Sequence, residues 1–184
     1  MNFEQIALTV AEALRKSNIS YMLTGALAVN YYGKPRMTHD IDVVVSITIN
    51  DTAKFKELFD ENFTVDAYSI SCALKELSMF NIIHKETGLK VDFWIMKGDE
   101  YNRKSFERRK WYPYQNIEIC LATPEDMIIN KLDWFKLSDI DKHYFDALDI
   151  YRIQQEKLDI EYINYWCNKK SISELWKKIQ EEGK

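Results

Sequence analysis

The chain has 184 residues, 29 of them acidic and 25 basic, for a formal net charge of −4. That balance excludes the strongly basic profile of a general nucleic-acid binder, so any contact with a polyanion has to come from a local patch. With 46% hydrophobic and 14% aromatic residues and only 5 glycines and 3 prolines, the composition excludes disorder and supports a substantial buried core.

In chain order, Phe3, Ile6, Ala7, Val10 and Leu14 recur at helical spacing, Asn18 follows as a stop, and Ile19 to Leu23 is a short β-prone run. Gly25 breaks that run. Ala26 to Tyr32 has the length of a short helix closed by Gly33, and the turn-rich Lys34-Pro35-Arg36 leads into Ile41 to Val45, the clearest buried-strand signal in the chain. Asp51 is the expected N-cap of a helix carrying Phe55, Leu58 and Phe59. Ser78 to His84 and Leu89 to Met96 read as a hairpin with Gly88 near its turn, followed by a charged helix from Glu100 to Lys110. Ile117 to Leu121 is expected to be the last strand, because Thr123-Pro124-Glu125-Asp126 has an N-cap residue, a proline at the first helical position and an acid in the first turn. From there the pattern is helical, with breaks near 137–141 and 168–171 and with Tyr162, Tyr165, Trp166, Leu175 and Trp176 expected in its core. The predicted architecture is α/β (α+β): a mixed sheet flanked by helices over residues 1–121, and a helical C-terminal portion over 122–184 packed on it.

The start of the chain has acidic Glu4 and no basic segment ahead of an apolar run, and no stretch reaches roughly 18 uncharged apolar residues, so no export signal or membrane span is expected. Cys72, Cys120 and Cys167 are odd in number, far apart and outside any C-x-x-C pair. They indicate neither a disulfide framework nor a zinc ribbon, and the expected location is the cytoplasm with reduced thiols. His39, His84 and His143 share no metal-ligand spacing.

Chemistry concentrates in Thr38-His39-Asp40-Ile41-Asp42-Val43-Val44-Val45. Side chains alternate along a strand, so Asp40 and Asp42 project from one face with their Cα atoms roughly 7 Å apart. Two carboxylates at the mouth of an apolar strand repel unless a cation lies between them, and hard oxygen ligands suit Mg²⁺ or Mn²⁺; a solvated strand entrance is the plain alternative. Asp92 lies in a strand-like run, Leu89 to Ile95, where an unpaired carboxylate is expensive to bury. If that strand neighbours the one carrying Asp42, Asp92 completes a three-carboxylate set; otherwise it points outward and pairs with Lys90 or a neighbouring strand. Thr24-Gly25-Ala26, between a strand and a helix, offers backbone N–H groups and a positive helix end to a phosphate.

Leu23 to Val29, followed by Gly33-Lys34-Pro35-Arg36-Met37-Thr38-His39-Asp40-Ile41-Asp42, resembles the signature of the nucleotidyltransferase superfamily with its polymerase-beta-like fold. Within it the similarity is to the AbiEii-type branch of toxin–antitoxin and phage-defence systems. The resemblance extends to Asp92 as the third acid, to Thr123 to Asp126 followed by Lys131, and to Asp146-Ala147-Leu148-Asp149. It implies metal-dependent transfer of a nucleoside monophosphate from a nucleoside triphosphate to an acceptor, RNA (especially tRNA) or protein, with a cognate antitoxin as a further partner. Asp40, Asp42 and Asp92 would be the catalytic metal-holding acids, and Thr24, Gly25 and Ala26 the triphosphate turn. The chain departs from the usual glycine-serine or glycine-glycine turn by having Ala26, which offers no hydroxyl.

Arg36 and Thr38 precede the paired acids. Arginine matches phosphate geometry, and a threonine hydroxyl can orient an acid. Lys131 shares the apolar stripe of its helix with Met127, Ile128 and Phe135, so it either snorkels to the rim or reaches toward phosphate. Asp146 and Asp149 share a helical face within reach of Lys131 or Arg152. Arg103 to Lys110 with Trp111 and Tyr112 forms a basic aromatic stretch, either an RNA-backbone contact or a solvated face. Two other readings compete: a nucleotide-sugar glycosyltransferase using Asp40-Ile41-Asp42, and a catalytically inactive nucleotide-binding or regulatory domain on the same scaffold.

Overall fold

A computed structural model describes residues 1–184. The chain folds as two compact units, one formed by 1–26 and 37–121 and the other by 27–36 and 122–184. No helix is long and apolar enough to cross a membrane.

The first unit opens with α1 (Phe3–Lys16), held at its start by a capping box between Asn2 and Gln5 and buried along Ile6, Ala7, Val10, Ala11 and Leu14. It stops at Ser17, and Asn18 takes the left-handed conformation that asparagine tolerates. Next come β1 (Ser20–Leu23) and β2 (Asp40–Ser46), between which lies α2 (Gly25–Tyr32), of the second unit from Leu27 on, then a 3₁₀ turn (Ile49–Asp51) and α3 (Thr52–Phe59). The rest of the unit is β3 (Phe63–Thr64), α4 (Ala67–Glu76), β4 (Met79–His84), β5 (Lys90–Ile95), α5 (Glu100–Arg108), β6 (Lys110–Tyr114) and β7 (Ile117–Leu121).

All seven strands form one mixed sheet in the order β3-β4-β5-β2-β1-β7-β6. β2 runs parallel to β5 and β1 parallel to β7, while the remaining pairs are antiparallel. Alternation divides the two central strands cleanly. Ile41, Val43 and Val45 of β2 and Val91, Phe93 and Ile95 of β5 are buried on one face, where Phe55 of α3 packs edge-on against Phe80 and Phe93. The opposite face carries Asp40, Asp42 and Val44 beside Lys90, Asp92 and Trp94.

Several local expectations are corrected. Asp51 does not cap α3 with its side chain; its carboxylate accepts from the Thr48 backbone N–H and hydroxyl, closing the 3₁₀ turn instead. α4 is an additional helix, capped by Asp66, whose carboxylate accepts from the N–H groups of Tyr68 and Ser69. Ile117–Leu121 is followed by helices only, but it pairs with an additional edge strand, β6, whose Pro113 is tolerated because an edge strand has one side free of ladder bonds. Within the basic stretch, Arg109 lies over the Phe106 ring at 4.1 Å and Trp111 meets Tyr21 edge-to-face at 5.8 Å.

The second unit joins 27–36 to α6 (Pro124–Ser138), α7 (Asp141–Gln154), a 3₁₀ turn (Gln155–Lys157), α8 (Ile160–Lys169) and α9 (Ser173–Glu182). Left-handed Asp139 ends α6 and left-handed Ser171 follows α8. The Thr123 hydroxyl accepts from the Asp126 N–H at the start of α6 and donates to the Asp126 carboxylate at 2.7 Å. Trp166 and Trp176 are buried as expected, but Tyr165 is 49% exposed, with the Lys169 ammonium over its ring. All three cysteines are free; burial pushes the Cys120 thiol to about 11 and the Cys167 thiol to about 12, so both stay protonated at neutral pH.

Candidate active site

The turn after β1 is built around Gly25, the first residue of α2. Its φ is +58°, a conformation that L side chains rarely adopt, and a Cβ placed there would lie 1.9 Å from Oδ2 of Asp42. Glycine is thus required for the backbone angle and again for the close approach of the turn to β2. The Thr24 N–H donates to the Asp42 carbonyl at 3.0 Å and ties the turn to the strand. Ala26 is buried and apolar, so any phosphate contact at this turn rests on backbone N–H groups at the positive end of α2.

The acidic residues follow from strand register. In the parallel β2–β5 pair, Asp40 stands opposite Lys90, Asp42 opposite Asp92, and Val44 opposite Trp94. Since opposed residues in a ladder point to the same side, all three acids share one face with Lys90 and Trp94. Asp40 is exposed, Asp42 half-buried and Asp92 buried, only 9% exposed. Asn81 of β4 stands opposite Asp92 on the other side.

Each of the two opposed acids faces a partner on β5. The Trp94 indole N–H donates to Oδ1 of Asp42 at 3.3 Å. The Lys90 ammonium lies 3.7 Å from Oδ1 of Asp92, an ion pair too long for a hydrogen bond, which leaves that oxygen buried without a donor. Burial pushes the Asp92 carboxyl above its ordinary value; Lys90 pulls it down and the Asp40 charge pushes it up, with a net rise. Thr38 bonds the main chain of Asp40 through its hydroxyl, donating to the carbonyl at 3.3 Å and accepting from the N–H at 3.4 Å, so it steers the backbone at the strand entrance and not an acid side chain.

Three carboxylates on one face supply the hard oxygen donors that suit Mg²⁺ or Mn²⁺, and the donor-free, buried Oδ1 of Asp92 is the feature that fits a cation best. No three His, Cys, Asp or Glu side chains gather closely enough to hold a metal ion between them. Asp42 and Asp92 turn instead toward their β5 partners.

In the second unit, Asp146 of α7 is buried between two cations. Its carboxylate accepts from Nε and Nη2 of Arg36 at 2.8 and 2.9 Å, a bidentate fork, and pairs with the Lys131 ammonium of α6 at 2.8 Å. Burial pushes the Asp146 carboxyl up, yet the hydrogen bonds and charges of Arg36 and Lys131 outweigh it and hold the group below the ordinary carboxylate range. Arg36 is further fixed by its own backbone, whose N–H and C=O both bond the Asn30 side chain at 2.9 Å. Asp149 pairs with Lys34 at 2.9 Å, while Arg152 donates to the Glu182 carbonyl instead of meeting either acid.

Lys90 is the partner the sequence offered for Asp92, whereas Trp94 escaped the sequence reading although a signal existed. Counting by two from Asp92 reaches Lys90 and Trp94, the residues that face the acid pair. The fork between Arg36 and Asp146 has no such signal, because the two are 110 residues apart.

No protein-family model matches the chain, and no curated protein matches it in sequence. Solved structures do. The chain is similar to the antibiotic-resistance factor ANT(2'')-Ia, at 10% identity and a TM-score of 0.61, over 99% of this chain and 98% of that one. It is similar to an antigenic nucleotidyltransferase-like protein from Paracoccidioides brasiliensis, at 13% identity and a TM-score of 0.57, over 94% and 91% of the two chains. It is also similar to the lincosamide antibiotic adenylyltransferase LnuA in its lincomycin-bound form, at 13% identity and a TM-score of 0.53, over 83% and 98%. At these identities the likeness establishes the fold, which is that of nucleotidyltransferases.

Proposed function

We propose that the chain is a divalent-metal-dependent nucleotidyltransferase that moves a nucleoside monophosphate from a nucleoside triphosphate to an acceptor hydroxyl. The observation that carries this reading is the shared face of Asp40, Asp42 and Asp92 with Gly25 pressed against Asp42, in a fold similar to that of a known adenylyltransferase. Asp40, Asp42 and Asp92 would hold Mg²⁺ or Mn²⁺, which when bound supplies charge neutralisation for the triphosphate and for the departing pyrophosphate.

The remaining roles belong to the chain itself. Backbone N–H groups from Gly25 onward receive the triphosphate, with Thr24 and Ala26 shaping the turn. Arg36 and Lys131 are the cationic candidates for phosphate. Asp92, whose carboxyl is raised by burial, accepts the proton of the acceptor hydroxyl. That oxygen bonds to the α-phosphorus as the bond to the β-phosphate bridging oxygen breaks, and pyrophosphate leaves.

For the acceptor, the resemblance to the AbiEii-type toxin branch favours a hydroxyl on tRNA, other RNA or protein, with a cognate antitoxin as regulator. The likeness to a lincosamide antibiotic adenylyltransferase and to an antibiotic-resistance factor favours a second reading, a small hydroxyl-bearing molecule. The test is incubation with each α-labelled triphosphate, Mg²⁺ and one of three acceptor pools: total RNA, total protein, or aminoglycosides and lincosamides. Label appearing in one pool with the wild type and absent with Asp42→Asn is the expected result. Equal label with both proteins, or none in any pool, overturns the reading.

A further inference from the structure

Lys90 completes a square of charges on the open face of the central strands. It stands opposite Asp40 across the β2–β5 ladder and one side-chain step along β5 from Asp92, with Asp42 at the fourth corner. Its ammonium lies 3.7 Å from the buried Oδ1 of Asp92, and no hydrogen-bond donor reaches that oxygen. A lysine here is a compact point charge on a flexible stem, and its side chain is 44% exposed, so it can swing away into solvent at little cost.

We propose that Lys90 is a built-in counter-ion that competes with the divalent cation for Asp92, so that cation binding has to displace the ammonium from the acid. This rests on the function proposed above and adds to it a residue that sets the metal requirement. With Lys90 at rest, one positive charge offsets part of the repulsion among the three acids and keeps the open face stable. With Lys90 displaced, its charge still lies close enough to oppose the cation, so the site asks for more free metal than the three acids alone would need.

Loss of the charge therefore has a sign that other roles for Lys90 do not share. Lys90→Met keeps the apolar stem and removes the ammonium. It leaves the acids more repulsive without a cation, and more attractive to one. A lysine serving as a phosphate ligand would instead leave cation affinity unchanged and weaken only the triphosphate, while a purely structural lysine would change neither in this direction.

The experiment titrates Mn²⁺, without nucleotide, into the full-length wild type, Lys90→Met, Lys90→Gln, Lys90→Arg and Asp42→Asn, reading free Mn²⁺ by electron paramagnetic resonance and folding by far-UV circular dichroism. The uncharged variants should bind Mn²⁺ about five- to tenfold tighter than wild type, the size expected for one partly screened unit charge acting on a nearby divalent ion, and the gap should narrow at high salt. Lys90→Arg should match the wild type. The two uncharged variants are read independently, so a folding failure in one leaves the other decisive. Uncharged variants that bind Mn²⁺ as the wild type does, or more weakly, overturn the role of Lys90, and so does an arginine variant as tight as the uncharged ones. If Asp42→Asn binds Mn²⁺ with wild-type affinity, the acids are not the metal site and the functional reading itself falls; if it loses Mn²⁺, that reading stands whatever Lys90 does.

Discussion

An added Cβ at Gly25 would lie 1.9 Å from Oδ2 of Asp42, so the conformation of the turn and the position of the acid are set by one another. Gly25→Ala should therefore do two things. It forces an L-residue to a φ of +58°, at a cost of about 1–2 kcal/mol. It also drives the Asp42 carboxylate off its indole partner. The expected outcome is a lowered melting temperature with transfer activity and Mn²⁺ affinity both lost. A variant with wild-type Mn²⁺ affinity would show that the turn can recede from β2 without disturbing the acid.

Trp94 holds the other side of Asp42 through its indole N–H. Trp94→Phe keeps most of the ring packing on the half-buried face and deletes the donor. A hydrogen bond to a metal-ligating carboxylate orients it, and losing such a bond typically weakens metal affinity by about tenfold or more. We expect that loss for Mn²⁺, measured by direct titration, with little change in melting temperature. Unchanged affinity would leave Trp94 as packing alone.

The contrast between these residues and the second unit shows where sequence reasoning stops. Ile41 to Val45 reads as a strand because a run of β-branched residues has few other places to go, and side-chain alternation then puts Asp40 and Asp42 on one face. Register against β5 is a tertiary fact, yet Asp92 stands out beforehand as a carboxylate in an apolar run. By contrast, β3 has two residues, too few for any period to show. Asp51 has the chemistry of a helix cap and spends it on the Thr48 hydroxyl and N–H, a choice made by the local turn. Arg36 and Lys131 are visible as cations, but that both converge on Asp146 depends on how α6, α7 and 27–36 pack.

Asp146→Asn tests that convergence through stability. The amide cannot balance Arg36 and Lys131, and removing the shared acid from a buried cluster leaves two cations facing each other. Such losses run to about 3–5 kcal/mol, here nearer the lower figure because Arg36 retains contact with water. The wild-type carboxyl is held below its ordinary value. Its contribution is therefore fully present above the ordinary carboxylate range and is lost as pH falls through the depressed folded value. Melting temperatures of wild type and variant should differ widely at neutral pH, begin to approach one another only below about pH 4, and converge once the pH has passed the depressed folded value. A gap independent of pH would assign the effect to packing instead of charge.

Asp92 is expected to show the opposite pH dependence. Its folded-state carboxyl is raised, by burial first and by the Asp40 charge in addition, against the pull of Lys90. Between the unfolded and folded values the folded state holds more protons, so stability falls as pH rises through that window, and the deficit persists at neutral pH. Asp92→Asn removes the charge that causes the deficit, and it should raise the melting temperature of the metal-free protein at pH 7 while leaving it nearly unchanged in acid. Mg²⁺ bound to the folded acids recovers the deficit in the wild type by mass action, so added Mg²⁺ should raise the wild-type melting temperature and barely move that of the variant. If Asp92→Asn destabilises the metal-free protein at neutral pH and responds to Mg²⁺ as the wild type does, the Lys90 ion pair outweighs the burial of Asp92. Asp92 would then be a structural acid, and the proposed transfer would need another base and another metal ligand.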